Sequence, residues 1–69
     1  MFNRQKFKAA MVASGKNAAD VAKMLGINES TFYRKIANDG NFNRAEIEQM
    51  VSYLSIEKPV DIFFGEKLA

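Results

Sequence analysis

The stretch Asn17-Ala18-Ala19-Asp20-Val21-Ala22-Lys23-Met24-Leu25-Gly26-Ile27-Asn28-Glu29-Ser30-Thr31-Phe32-Tyr33-Arg34-Lys35-Ile36-Ala37-Asn38 decides how this chain folds. On either side of Gly26-Ile27-Asn28, apolar residues recur at helical spacing. Val21, Ala22 and Leu25 share one face of the first segment, and Ile27, Phe32 and Ile36 carry the apolar surface through the link and along the second. So short a link forces a sharp angle between two helices, and Gly26 supplies the left-handed conformation that ends the first of them. Ala22 is small enough to let the second helix approach closely. The spacing therefore predicts a helix-turn-helix, with helices over 18–25 and 29–37.

Working outward, Asn3, Asn17, Asn28 and Asn43 stand where helices should begin. Asparagine is a strong N-cap because its side-chain oxygen accepts a first-turn N–H that has no carbonyl behind it. Phe2 with Phe7, Ile27 with Phe32, and Phe42 with Ile47 have the spacing of hydrophobic staples around three of these caps. Glu46 follows Asn43 as in a capping box, and Asp20 favours the start of its helix through the dipole. Together these signals predict helices over about 4–14, 18–25, 29–37 and 44–55, and a short one near 60–64 after Pro59. No run alternates as a half-buried strand would. The expected fold is all-α, a bundle of about five helices, with residues 1–69 forming a single domain.

The chain has 69 residues, no cysteine and no histidine. Disulfides and the usual zinc sites are thereby excluded, and stability must come from packing, caps or a second copy. No apolar run is long enough to span a membrane, and Met1-Phe2-Asn3-Arg4 lacks the start of a signal peptide, so a cytoplasmic protein without a membrane partner is expected. An enzyme is not expected. There is no Gly-rich phosphate loop, no metal-ligand set and no spaced carboxylate pair, and no cofactor is implied. The net charge of +2 hides an asymmetry. Residues 1–38 carry seven Lys or Arg against two acids, and residues 39–69 carry three against six. The first half would attract a polyanion.

Val21-Ala22-Lys23-Met24-Leu25-Gly26-Ile27-Asn28-Glu29-Ser30-Thr31-Phe32 resembles the helix-turn-helix of phage repressor and Cro-like proteins. Phe32-Tyr33-Arg34-Lys35-Ile36, Phe42, Glu46-Ile47 and Ile62-Phe63-Phe64 extend the likeness to short phage-encoded members with the lambda-repressor-like fold. Lys35 departs from the pattern, standing where many relatives have an apolar or aromatic residue, with Ile36 available to take over that packing. The resemblance implies a transcriptional regulator that binds a double-stranded DNA operator as a dimer, in a bacterial host cell.

Position by position, it makes Glu29, Ser30, Tyr33 and Arg34 the base-reading residues of the second helix, which would lie in the major groove. Arg34 suits guanine O6 and N7, Glu29 suits cytosine N4, and Tyr33 suits a thymine methyl or a phosphate. Thr31, Lys35 and Asn38 would touch the DNA backbone. Asn17, at a helix start, would offer N–H groups to a phosphate, and Lys23, with Lys6, Lys8 and Lys16, would neutralise others. Each residue also has a plainer reading: Glu29 suits the first turn of any helix, Tyr33 can cover the rim of the core, and Arg34 and Lys35 can be solvated charges.

In the second half, Ile47, Met50, Val51 and Leu54 read as the inner stripe of a helix. Val60, Ile62, Phe63, Phe64 and Leu68 are more apolar residues than so small a domain readily buries. Ile62, Phe63 and Phe64 are therefore candidates for the interface of a weak or DNA-assisted homodimer, and a tail folded onto its own core is equally compatible. A rival reading is a phage modulator or antirepressor that keeps the fold but binds another phage repressor protein, a role that the acidic second half and aromatic tail would suit.

Overall fold

The computed structural model describes residues 2–64, and five helices follow in order: α1 Arg4–Ser14, α2 Ala18–Leu25, α3 Glu29–Ala37, α4 Arg44–Tyr53 and α5 Pro59–Phe63. Each of the first four starts on one of the asparagines singled out above. Asn3, Asn17, Asn28 and Asn43 are all in extended conformation, and each side-chain oxygen accepts the N–H three residues on, at 2.8–2.9 Å. Two of the caps are reciprocal. The Asn17 N–H donates to Asp20 at 3.0 Å and the Asn43 N–H to Glu46 at 2.9 Å. Asp20 therefore does more than favour the helix dipole, because it closes a box.

The α2–α3 turn forms as its glycine requires. Gly26 has φ +75 and its N–H bonds back to Lys23, while the Ile27 N–H reaches the Ala22 carbonyl at 3.0 Å. This pattern satisfies the last carbonyls of α2 and turns the chain into α3. The α2–α3 pair buries Val21, Ala22 and Phe32, whose exposures are 2 % or less. Met50 of α4 closes the other side of α2 and is also fully buried.

Five of the six phenylalanines form the centre of the core. Phe2 meets Phe7, Phe42 and Phe63 at ring-centroid distances of 5.4, 6.2 and 5.8 Å, and Phe32 meets Phe7 and Phe42 at 6.1 and 6.0 Å. The tilted rings avoid face-to-face repulsion between their π clouds. The staple between Phe2 and Phe7 is thus part of a cluster that crosses the whole molecule.

One expected boundary changes, and one open alternative is decided. Helix α4 stops at Tyr53 rather than at 55, because Ser55 takes a left-handed φ of +54. That turn, held by the Ile56 N–H on the Val51 carbonyl at 2.9 Å, lets Leu54 and Ile56 both enter the core. The tail also folds onto its own domain. The Asn3 N–H donates to the Ile62 carbonyl at 2.7 Å, and Ile62 and Phe63 are each only 6 % exposed. These two residues are core, not free interface; of the proposed trio only Phe64 remains on the surface, together with Val60. Leu68 lies outside the described residues. No helix among the described residues is long and apolar enough to cross a membrane.

Candidate nucleic-acid interface

Helix α3 is oriented by what it buries. Phe32 is 1 % exposed and Ile36 packs against the same core, so the rotation of the helix is fixed from inside. Glu29, Ser30, Tyr33 and Arg34, together with Ala37, consequently lie on the solvent side. The 3.6-residue period puts 29, 30, 33, 34 and 37 on one continuous stripe. Two contacts within the helix hold the stripe in order. Asn28, the cap, accepts from the Ser30 hydroxyl at 2.8 Å, and the Arg34 guanidinium donates to the Thr31 hydroxyl at 3.1 Å. Both are exposed and neutral or singly charged, so neither is costly to exchange for a ligand. Arg34 keeps its remaining donors for an outside acceptor.

The residues expected beside the DNA backbone divide into groups. Lys23 and Asn38 are exposed, and Thr31 is half-buried at the edge of the stripe. Asn17 is exposed at the start of α2, but its own N–H and that of Asp20 are already used in the box. The first-turn donors left for an anion are the amides of Ala18 and Ala19, and the Asp20 carboxylate belongs to the same turn. Lys35 is turned away from this surface. Its ammonium lies 3.6 Å from Glu46 and 5.9 Å from the centre of the Phe42 ring, so it bridges α3 to the cap of α4. A contact with the DNA backbone would compete with that pair: Lys35 is one step around the helix from Arg34, and that step points toward Glu46. Ile36 takes the inward place beside it, as the departure from the family pattern implied.

Lys16 is likewise engaged, 5.0 Å over the Tyr53 ring. Neither this contact nor the Lys35–Glu46 pair was signalled by sequence, since each joins residues far apart in the chain. Lys6 and Lys8 are exposed on α1. Among the described residues no group of three or more acidic, Cys or His side chains is placed to hold a metal ion.

No curated protein and no solved structure matches the chain. One family model does, that of bacterial regulatory proteins of the Fis family, over residues 2–38. Those residues span α1, α2 and α3 with their caps, which include the whole helix-turn-helix. The match supports the resemblance at the level of a helix-turn-helix regulator, and it is not specific to phage repressor or Cro-like proteins. Members of the matched family are non-catalytic DNA-binding proteins. With more than half of its 69 residues matched, this chain, all-α with five helices among its described residues, belongs to the Fis family of bacterial regulatory proteins and is a DNA-binding regulator with a helix-turn-helix.

Proposed function

We propose that the chain is a sequence-specific transcriptional regulator of phage repressor or Cro-like type, which reads an operator through Glu29, Ser30, Tyr33 and Arg34. The observation that carries this reading is the orientation of α3: burial of Phe32 leaves those four side chains together on the solvent side. Arg34 pairs with a guanine edge, Glu29 with a cytosine amine, and Tyr33 with a thymine methyl or a phosphate. Lys23, Asn38, Thr31 and the start of α2 at Asn17 position the domain on the backbone.

One recognition helix touches too few bases for a useful specificity ratio, so two copies bind a two-fold site with their α3 helices about 34 Å apart. Their contact is the groove between α4 and α5, of about 670 Å³, from whose wall Val60 and Phe64 project at 63 % and 59 % exposure. Its rim carries Arg44 and Glu48, paired at 3.2 Å. A rim with one charge of each sign is self-complementary about a two-fold axis. At about 25 cal/mol per Å², so small an apolar patch supports a weak or DNA-assisted dimer once association entropy is subtracted.

Selection of bound sequences from random DNA tests both parts. A two-fold consensus with half-sites one helical turn apart is expected. Arg34→Ala should then lose roughly 1–3 kcal/mol per half-site at one base position only. Equal loss on every sequence would make Arg34 a phosphate contact, and recovery of no consensus would remove sequence-specific reading. On the selected site, Phe64→Ala should stay folded and require more protein to fill both half-sites.

A further inference from the structure

Four large apolar side chains stand exposed among the described residues, and they divide between two places. Val60 and Phe64 line the α4–α5 groove. Val12, 71 % exposed, and Tyr33, 55 % exposed, line a second groove between α1 and α3, of about 450 Å³, with Met11 in its lining. Phosphates need only the cations of such a surface, and its exposed apolar side chains are left for another kind of partner.

The charges around this groove are of one sign. Arg4, Lys8 and Lys16 line it and no acid does. Arg4, Lys8 and Val12 follow one another at i, i+4 spacing, so α1 presents a stripe of two cations running into an apolar residue. Arg4 and Lys8 are in no ion pair among the described residues; the pairs there are Lys35–Glu46 and Arg44–Glu48. Lys16 closes the far end, held over Tyr53.

We infer that the α1–α3 groove docks an acidic amphipathic helix of a protein partner, in place of DNA. Charge complementarity fixes the chemistry of the occupant: carboxylates for Arg4 and Lys8, and apolar side chains one turn further on for Val12, Met11 and Tyr33. The groove has an apolar floor, with Phe7, Phe32 and Ile36 in its lining, and an apolar helix face can lie on such a floor. Exclusion of DNA follows from Tyr33, which belongs both to this groove and to the reading stripe of α3. A bound acidic helix would also cancel the cations that draw in the phosphates. The competition with DNA rests on the operator-reading role proposed above, whereas the docking itself does not.

The test uses the full chain and a short synthetic helical peptide with two leucines one turn apart and two glutamates in the preceding turn. A second peptide carries lysines in place of the glutamates. In fluorescence anisotropy without DNA, the acidic peptide should bind at least about ten times more tightly than the basic one. Val12→Gln should weaken acidic-peptide binding about fivefold or more while its circular dichroism and its affinity for the selected DNA stay unchanged. Lys8→Gln should weaken the peptide too. With DNA present, the acidic peptide should release it in proportion to groove occupancy. Equal binding of the two peptides, no binding of either, or wild-type peptide affinity in folded Val12→Gln would overturn the docking site. Peptide and DNA bound together would overturn the exclusion. If the chain selected no DNA sequence, the operator reading would fail while the peptide arms still judged the groove.

Discussion

Residues 2–38 hold α1, α2 and α3 and match the regulatory family, whereas residues 39–64 hold α4 and α5 and lie outside that match. The charge changes at the same point, from +5 over residues 1–38 to −3 over residues 39–69. The core ignores the boundary. Phe2, Phe7, Val21, Ala22 and Phe32 come from the first segment, and Phe42, Met50, Leu54, Ile56, Ile62 and Phe63 from the second. The difference shows how a surface specialised for DNA is supported. The first segment carries the excess of cations and the outward stripe of α3, and the second supplies six of the eleven buried apolar residues that keep that face in shape. A helix-turn-helix of this length is too small to bury its own apolar side.

The harshest way to break the comparison is to separate the halves. A chain ending at Asn38 loses six of the eleven buried apolar residues, including every partner of Phe2 except Phe7. It should be unfolded at room temperature by circular dichroism and should retain no selected site. A folded, binding fragment of residues 1–38 would mean that the second half is dispensable to the motif.

The charge difference gives the next largest effect. With about six phosphates neutralised per dimer, affinity should fall roughly a thousandfold between 50 and 200 mM salt. Lys23→Ala should lower the slope of log affinity against log salt by about one for each phosphate contact removed. Lys58→Ala, exposed in the second half, should leave the slope alone. Filter binding across a salt series distinguishes them, and equal slopes for both variants would deny the first half its electrostatic role.

A pair of glycines separates conformational strain from packing. Gly26 and Gly40 both have positive φ, +75 and +65. A Cβ on Gly26 meets nothing within 4 Å, but one on Gly40 overlaps the Phe2 ring and comes within 2.8 Å of the Phe2 Cβ. Phe2 cannot swing clear, since its N–H is held by Asp39 at 3.2 Å and its ring by three others. Gly40→Ala should therefore cost about 2–4 kcal/mol in urea unfolding, the strain plus the overlap. Gly26→Ala should cost about 1–2 kcal/mol, the left-handed strain alone. Equal losses would mean that Phe2 yields.

What could be read from the sequence follows from how far apart the interacting residues are. The caps, the staple of Phe2 on Phe7 and the bounds of α1, α2 and α3 depend on neighbours within one turn, and all stand in the structure where the spacing put them. So does the outward face of α3, because a buried Phe32 leaves the helix one orientation. The Lys35–Glu46 pair, the Lys16–Tyr53 stacking and the Ile62 carbonyl on Asn3 join residues 11, 37 and 59 apart, and no local pattern announces them. Apolar count alone left the tail open between an interface and the core. Ile62 and Phe63 find their place only once Phe2 and Phe7 form a seat for Phe63, which leaves Phe64 and Val60 outside.

The smallest effect sharpens the comparison most, since it sets two nearly identical structures against each other. Asn17 and Asn43 are both N-caps of reciprocal boxes, with Oδ1 accepting at 2.8 Å in each and an acid returning the bond at 2.9–3.0 Å. As structure they are equivalent, and alanine at either should lower stability by about 1 kcal/mol. Their surroundings differ: Asn17 opens α2 on the cationic side of the molecule, and Asn43 opens α4 beside Lys35 and the acidic half. If the start of α2 abuts a phosphate, Asn17→Ala removes a side-chain amide donor from that contact, and DNA affinity should drop about threefold beyond any change in the folded fraction. Asp20→Asn should act in the opposite direction on DNA, because it removes a negative charge from the first turn of α2, where it would repel an anion. Asn43→Ala should leave affinity per folded molecule unchanged. Urea unfolding and DNA titration of the three variants, each corrected for its folded fraction, measure both quantities on the same samples. Equal DNA affinity for Asn17→Ala, Asp20→Asn and Asn43→Ala would mean that α2 does not point its first turn at the backbone, and the docking of α3 would then have to be rotated about its axis.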